Sequence, residues 1–341
     1  MGEHKSYTMP RSNMAGKENM KLLYRPTQYA QQRQQEKKRW IWPVHLAMEA
    51  TYRRNEGHTI LWDGSYEDYD KVIYEPEGIP FLDLPAADRK LTKARDAKYQ
   101  NNGNYKHHPG TYIQSAIGCW HGKCSFCKEK GIPYQLRPVD DVIAEIKACK
   151  AEGYREIFDD AATLANGDWL EEFCAKLRPL DITFSCNMRF GNKYGTDYIH
   201  LKKSGFRMLL YGLESANQIT LNTIHKGINV KQAVAELMLA SRYGLEPHIA
   251  VMFGYPWEDD HDAIRTLRLV HYLLRRGYAK TAQASLYRYK DDEPKIAHKK
   301  YVQRIYDAAY YPDFWLMRLK AIRNIDDIKY IWRGIKSCFG I

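Results

Sequence analysis

The run Gly118-Cys119-Trp120-His121-Gly122-Lys123-Cys124-Ser125-Phe126-Cys127 places three cysteines within nine residues. Three thiolates on one short loop can hold three corners of a four-iron cluster and leave the fourth iron open to a further ligand. A fourth protein ligand would close such a site, whereas an open iron is a place for chemistry. The run also follows the first of a series of predicted strands, so the fold determines where this candidate site lies.

A structural zinc site is the alternative interpretation of the same cysteines, with His121 as the fourth ligand. The position of the loop argues against it. Loops that follow the strands of a parallel α/β sheet lie at its carboxyl edge, which is where ligands bind. The sequence therefore favours an active site at this edge.

The other four of the seven cysteines, Cys149, Cys174, Cys186 and Cys338, are scattered along the chain. The first residues lack the apolar segment of a secretory signal. No run approaches the ~18 apolar residues of a membrane span, so no membrane association is expected. We predict a cytoplasmic protein, because in a reducing compartment clustered cysteines are metal ligands before they are disulfides.

Short apolar runs alternate with amphipathic segments from about residue 111 onward. The runs cover residues 112–117, 155–159, 182–187, 208–213, 248–253 and 282–287. Helices are predicted between them, for example at Asp140–Cys149, Val230–Tyr243 and His261–Arg276. Strands that alternate with helices imply parallel pairing through right-handed crossovers. Six such units can form a three-quarter barrel or an open parallel sheet. Of these, we predict an α/β fold with an incomplete (β/α)6 barrel over residues 106–290.

The regions on either side of the barrel differ from it in composition. Residues 1–105 read as a basic extension, a short α/β segment and a surface linker at 77–105, and residues 291–341 as a helical cover. The net charge of +11 is concentrated at the ends, with 11 Lys+Arg against 5 Asp+Glu in residues 1–56. The simplest interpretation is a basic surface in contact with solvent. The sharper alternatives are an acidic protein partner or RNA bound to these ends.

Polar and turn-forming residues follow the predicted strands at the edge where the cysteine loop lies. A carboxylate there can receive an ammonium group or sugar hydroxyls, and an arginine fork matches a carboxylate. Helix capping for the aspartates and a structural ion pair for the arginine are the plain alternatives. The residues are Asp159 and Asp160 after the second strand, Arg189 after the third, Glu214 and Ser215 after the fourth, and Gly254 and Pro256 after the fifth.

Taken in this order, the motifs resemble those of the radical SAM superfamily over about residues 111–290. The resemblance implies that Cys119, Cys124 and Cys127 ligate a 4Fe-4S cluster whose open iron binds S-adenosylmethionine (SAM). Reductive cleavage of SAM would then start hydrogen abstraction, or methyl transfer, on an unknown substrate. The spacer between Cys119 and Cys124 is one residue longer than the spacer usual in the family.

The resemblance also assigns SAM contacts to the strand-end residues. It implies that Phe126 packs beside adenine and that the Gly254–Pro256 turn passes close to it. It places the SAM ammonium at Asp159 and Asp160, the SAM carboxylate at Arg189, and the ribose at Glu214 and Ser215.

Within the superfamily, the chain resembles the subgroup that carries an N-terminal cobalamin-binding domain. Pieces of residues 39–89 match that domain, but the stretch is shorter than a complete domain of ~100 residues. The cobalt-ligating motif Asp-x-His-x-x-Gly is absent from the sequence. We therefore expect a truncated remnant, with a bound cobalamin as the less favoured alternative.

The resemblance finally implies an acidic electron donor such as flavodoxin or ferredoxin. Two other classes of function stay open on the sequence. The longer spacer and the basic ends would suit a non-catalytic or RNA-binding relative of the barrel enzymes. A zinc-bound structural protein is the other class.

Overall fold

The computed structural model describes residues 19–26, 41–191, 197–288 and 294–339 of the chain. Much of the predicted basic extension, residues 1–18 and 27–40, lies outside the described residues. Within the described ranges, no helix is both long enough and apolar enough to cross a membrane.

A small parallel sheet forms the N-terminal part of the described structure. Its elements are β1 (Lys21–Tyr24), α1 (Val44–Asn55), β2 (Thr59–Trp62) and β3 (Lys71–Ile73), in the strand order β2-β1-β3, and α2 (Ala97–Gln100) follows. The sequence did not predict β1, because a four-residue run has no readable period and its strand partners lie far along the chain.

The segment at residues 77–105 differs from the predicted surface linker. Arg89, Tyr99 and Tyr105 in this segment are buried. The Tyr105 ring lies 5.3 Å from the ring of Tyr112, which belongs to the larger sheet. The segment packs into the molecule because its aromatic side chains bury area against the sheet.

A six-stranded parallel sheet forms the centre of the molecule and confirms the predicted incomplete barrel. Its strand order is β11-β10-β9-β8-β7-β4. The strands are β4 (Gly110–Ile113), β7 (Glu156–Asp159), β8 (Thr183–Met188), β9 (Phe206–Glu214), β10 (Glu246–Phe253) and β11 (Thr281–Leu286), and a two-stranded antiparallel ribbon of β5 (Ala116–Ile117) and β6 (Gln135–Leu136) follows β4.

Helices connect the strands and cover the outer face of the sheet. They are α3 (Val139–Ala151), α4 (Asp168–Leu177), α5 (Tyr198–Lys203), α6 (Gln218–Thr223), α7 (Val230–Arg242) and α8 (Asp260–Arg275), and α9 (Lys299–Arg304), α10 (Pro312–Leu319) and α11 (Ile325–Phe339) follow the last strand. Side chains on the other face, such as Tyr112, Phe158 and Met208, share a core with the N-terminal unit. Both faces are therefore buried there, which explains the continuous apolar runs.

The amino ends of the strands are closed by a buried network of charges. Arg207 on β9 donates to Glu156 on β7 at 2.7 Å and to Glu246 on β10 at 2.6 Å. Lys106 lies 2.9 Å from Glu246 and also pairs with Asp327 of α11. The network occupies the amino ends of the strands, so their carboxyl ends are the edge where a ligand can bind.

The lowered pKa of the Glu246 carboxyl predicts that the folded protein loses stability in acid. Burial alone would raise its pKa, but the charges of Arg207 and Lys106 outweigh burial and lower the pKa from 4.5 to about 2. A carboxyl with a depressed folded pKa stabilises the fold above its unfolded pKa and loses that contribution as the pH falls. The contribution is about 3 kcal/mol.

We therefore expect the unfolding free energy in urea to fall as the pH is lowered from about 5 to about 2. The Glu246→Gln variant should lack that part of the pH dependence. A variant that retains the full acid slope would show that Glu246 is not the group responsible.

Candidate active site at the cysteine loop

The cysteine loop connects β5 to β6 and folds back on itself. Gly118 has φ +69°, and a side-chain carbon there would lie 2.7 Å from the carbonyl oxygen of Pro133. Only glycine fits this close approach. The Gly118 N–H donates to Glu129 at 3.1 Å, and the Ser125 N–H donates to the Ile224 carbonyl at 3.0 Å. The second bond fixes the loop to the region that follows β9.

The three predicted cluster ligands, Cys119, Cys124 and Cys127, are free and half-buried. Burial raises the pKa of the Cys124 thiol, and the cations Lys226 and Arg189 oppose this rise. Burial also raises the pKa of Cys127. A thiol must lose its proton in order to bind metal, and the two cations beside the loop stabilise the thiolate that results.

Among the described residues, no three His, Cys, Asp or Glu side chains converge as ligands of one metal ion. A four-iron cluster does not require such a group, because each thiolate binds a different iron. The donor set of three free thiols on one loop therefore fits the predicted cluster in its chemistry.

The structure joins Arg189 and Glu214 through the turn at Lys226 and Gly227, which follows α6. Arg189 Nη2 donates to the carbonyl oxygens of Lys226 and, at 3.2 Å, of Gly227. Lys226 Nζ donates to Glu214 Oε1 at 2.6 Å and lies 5.8 Å from the centroid of the Phe126 ring. Phe126, Arg189 and Glu214 are thus brought together with the cysteine loop.

The two aspartates at the end of β7 have different surroundings. The Asp159 carboxylate is buried and accepts from the Ser115 N–H at 2.9 Å, the Ser115 hydroxyl at 2.5 Å and the Ala161 N–H at 3.2 Å. Burial raises the pKa of Asp159, and these donors oppose the rise. Asp159 therefore shapes the end of the strand, whereas Asp160 beside it is half-buried.

The remaining predicted residues divide between the core and the edge of the sheet. Ser215 is fully buried; its hydroxyl accepts from the Asn217 N–H at 3.0 Å and lies 3.3 Å from the Thr266 hydroxyl. The Gly254 N–H donates to Glu258 at 2.6 Å, which closes the turn that carries the half-buried Pro256. The structure places Ser215 behind the site and the turn at its edge.

Two polar atoms near the loop are buried without a hydrogen-bond partner among the described residues. They are Gln114 Oε1, after β4, and the Tyr134 hydroxyl, before β6. Tyr134 is the last residue before β6, and burial, with negative charge at Asp159 and Cys119, raises its pKa to about 12. Buried polar atoms are nearly always paired, so these two suit a polar ligand. No sequence signal marked either residue.

The sequence was compared with protein families and with curated proteins. A model of the radical SAM superfamily matches residues 113–270. An uncharacterized methyltransferase of Pyrococcus horikoshii is 25% identical over 216 residues, which cover 60% of this chain and 45% of that protein. A tRNA-2-methylthio-N(6)-dimethylallyladenosine synthase of Ralstonia pickettii is 23% identical over 256 residues, which cover 63% of this chain and 53% of that protein. The chain thus spans about half the length of these relatives.

Among solved structures, the radical SAM methyltransferase TsrM of Kitasatospora setae, with tryptophan and a SAM analogue bound, gives a TM-score of 0.48 at 15% identity. The match covers 62% of this chain and 39% of TsrM.

The family match begins at the last residue of β4 and ends within α8. It therefore contains the cysteine loop and the carboxyl ends of β7, β8, β9 and β10. The match implies SAM and a 4Fe-4S cluster as cofactors. Residues 113–270, which carry the cysteine loop, thus match the radical SAM superfamily.

Proposed function

We propose that the chain cleaves SAM reductively and so starts radical chemistry on a substrate that is not yet identified. The observation that supports this is three free thiols on one loop, beside Arg189 and Lys226, at the carboxyl edge of a radical SAM barrel. When bound, the cluster would pass one electron to SAM, whose sulfur–C5′ bond breaks to give methionine and the 5′-deoxyadenosyl radical.

The chain's own residues would bind and orient SAM. We assign the SAM ammonium to the Asp160 side of the β7 end, because the Asp159 carboxylate is already taken by Ser115 and Ala161. Gln114 and Tyr134 offer unpaired polar atoms in the same region. Arg189 would face the SAM carboxylate, and Glu214, fixed by Lys226, would accept from the ribose.

An aromatic cluster would shield the radical from water. Tyr255 and Tyr287 are buried with ring centroids 4.7 Å apart, and Trp257 lies 5.5 Å from Tyr255. The three rings follow β10 and β11, close to the Gly254–Pro256 turn. Exclusion of water prevents side reactions of a reactive intermediate.

Methyl transfer is the outcome that we favour, because the Pyrococcus relative is named a methyltransferase. We propose that the N-terminal sheet is a remnant and that the activity does not require cobalamin. RNA is a candidate for the substrate. The name of the Ralstonia relative refers to tRNA, and the net charge of +11 on this chain would attract a nucleic acid.

We propose an acidic flavodoxin or ferredoxin as the electron donor. Lys123, Lys128 and Lys130 are exposed on the cysteine loop and would attract such a protein. The cytoplasm is the proposed compartment, because the loop thiols must stay reduced to bind iron.

Anaerobic reconstitution with iron and sulfide, followed by SAM and a reductant, tests this function. We expect 5′-deoxyadenosine to form only when the reductant is present. The ratio of S-adenosylhomocysteine to 5′-deoxyadenosine, with and without added cobalamin, separates methyl transfer from other radical outcomes. Protein that binds one zinc, takes up no iron or sulfide and forms no 5′-deoxyadenosine would contradict the proposal.

A further inference from the structure

The spacer between Cys119 and Cys124 is fastened to the barrel by its own side chains. His121 Nε2 lies 3.1 Å from the carbonyl oxygen of His225. A carbonyl can only accept, so Nε2 carries the proton and donates. The Trp120 Nε1–H donates to the Leu164 carbonyl at 3.1 Å. The two residues thus contact two different segments, the loop between β7 and α4 and the turn after α6.

The same two residues enclose Arg189. Its guanidinium carbon lies 5.9 Å from the Trp120 ring centroid, while Nη2 donates to the carbonyls of Lys226 and Gly227. A side-chain carbon on Gly227 would lie 3.1 Å from Arg189 Nη2 and 3.3 Å from His121 Cε1. The absence of a side chain at Gly227 therefore permits Arg189 and His121 to meet at one turn.

This clamp sets two cations beside the cluster ligands. Lys226 belongs to the turn that His121 and Arg189 contact, and its ammonium lies over the Phe126 ring, one residue before Cys127. The charge of Arg189 acts on Cys124 and Cys119, and that of Lys226 on Cys124 and Cys127. Positive charge beside a cluster favours its reduced state, which is more negative by one charge.

We propose that Trp120 and His121 are positioning residues that hold Arg189 and Lys226 beside the cluster thiolates, which keeps the cluster easier to reduce. The inference rests on the proposed function, because it concerns the cluster of that site. It also gives the four-residue spacer a structural role, because two of its residues, Trp120 and His121, make the clamp.

The test is a redox titration of the reconstituted protein, followed by the electron paramagnetic resonance signal of the reduced cluster. In the Trp120→Ala/His121→Ala double variant, we expect the ratio of reduced to oxidised cluster at a fixed potential to fall about tenfold, which equals a shift of about 59 mV. The His121→Gln variant keeps a donor for the His225 carbonyl and should shift less than His121→Ala. His261→Gln, on an exposed histidine of α8, is the matched control.

A second readout needs no cluster. In iron-free protein, the Ser125 amide hydrogen, which is bonded to the Ile224 carbonyl, should exchange faster with solvent in the double variant, because the loop is no longer held. If the double variant does not fold, Trp120→Phe replaces it in both measurements, because this variant keeps a ring but lacks the indole N–H donor. Wild-type protein that assembles no cluster would contradict the proposed function. Variants that assemble a cluster with the wild-type potential and exchange the Ser125 amide hydrogen at the wild-type rate would overturn the clamp.

Discussion

Replacing Cys124 with alanine is expected to lower 5′-deoxyadenosine formation by more than about 100-fold, because the change removes a proposed ligand of the cluster. Mutating residues that merely hydrogen-bond to a metal ligand already costs about 10–100-fold in affinity or activity. Cys124 is half-buried in the loop and lies within reach of the charges of Lys226 and Arg189. The measurements are bound iron per chain and 5′-deoxyadenosine formed under reductant.

Cys149→Ala is the matched control for this prediction. Cys149 is a buried cysteine on α3 and packs in the core between the sheet and its helices. We expect this variant to bind iron and cleave SAM like the wild type, with a modest loss of stability from the missing sulfur. If Cys124→Ala still cleaved SAM at the wild-type rate, the loop could not be the cluster site.

The strands of the barrel could be predicted because each one is a buried apolar run between amphipathic helices. The one break within a predicted run shows where this reasoning ends. Residues 112–117 read as a single strand, but β4 ends at Ile113 and β5 begins at Ala116. The Ser115 N–H and hydroxyl bond to the Asp159 carboxylate instead of extending β4. That competition involves a side chain more than forty residues away, which no local pattern reveals.

The candidate site could be predicted as a set of residue types but not as a set of contacts. The sequence marks Arg189 as a partner for a carboxylate, yet its guanidinium already holds the carbonyls of Lys226 and Gly227. Main-chain acceptors carry no sequence signal, because every residue has one. For the same reason, the sequence does not predict the hydrogen bonds that Trp120 and His121 make to main-chain carbonyls.

A buried charge triad ties the N-terminal segment to the barrel. Glu145 on α3 accepts from Arg89 at 2.7 Å and from Arg137 at 2.6 Å, and its side chain is fully buried. Burial would raise the pKa of Glu145, but the two guanidinium groups hold it below its usual range. Arg89 also donates to the Thr111 hydroxyl and the Tyr112 carbonyl of β4. The carboxylate is therefore the shared partner of two buried cations.

Glu145→Gln should lower the free energy of unfolding by about 3–5 kcal/mol, because it leaves two buried guanidinium groups without their counter-charge. The change preserves the side-chain volume, so no cavity forms and the change in the free energy of unfolding reports the lost charge. Glu172→Gln is the matched control: Glu172 pairs with Lys176 at 2.6 Å on an exposed helix face and should cost nothing measurable. Urea unfolding of the three proteins decides the matter. If Glu145→Gln proved no more costly than Glu172→Gln, then desolvation must cancel the attraction within the triad. The N-terminal segment would then be held by its apolar packing on the sheet, at Tyr112, Phe158 and Met208.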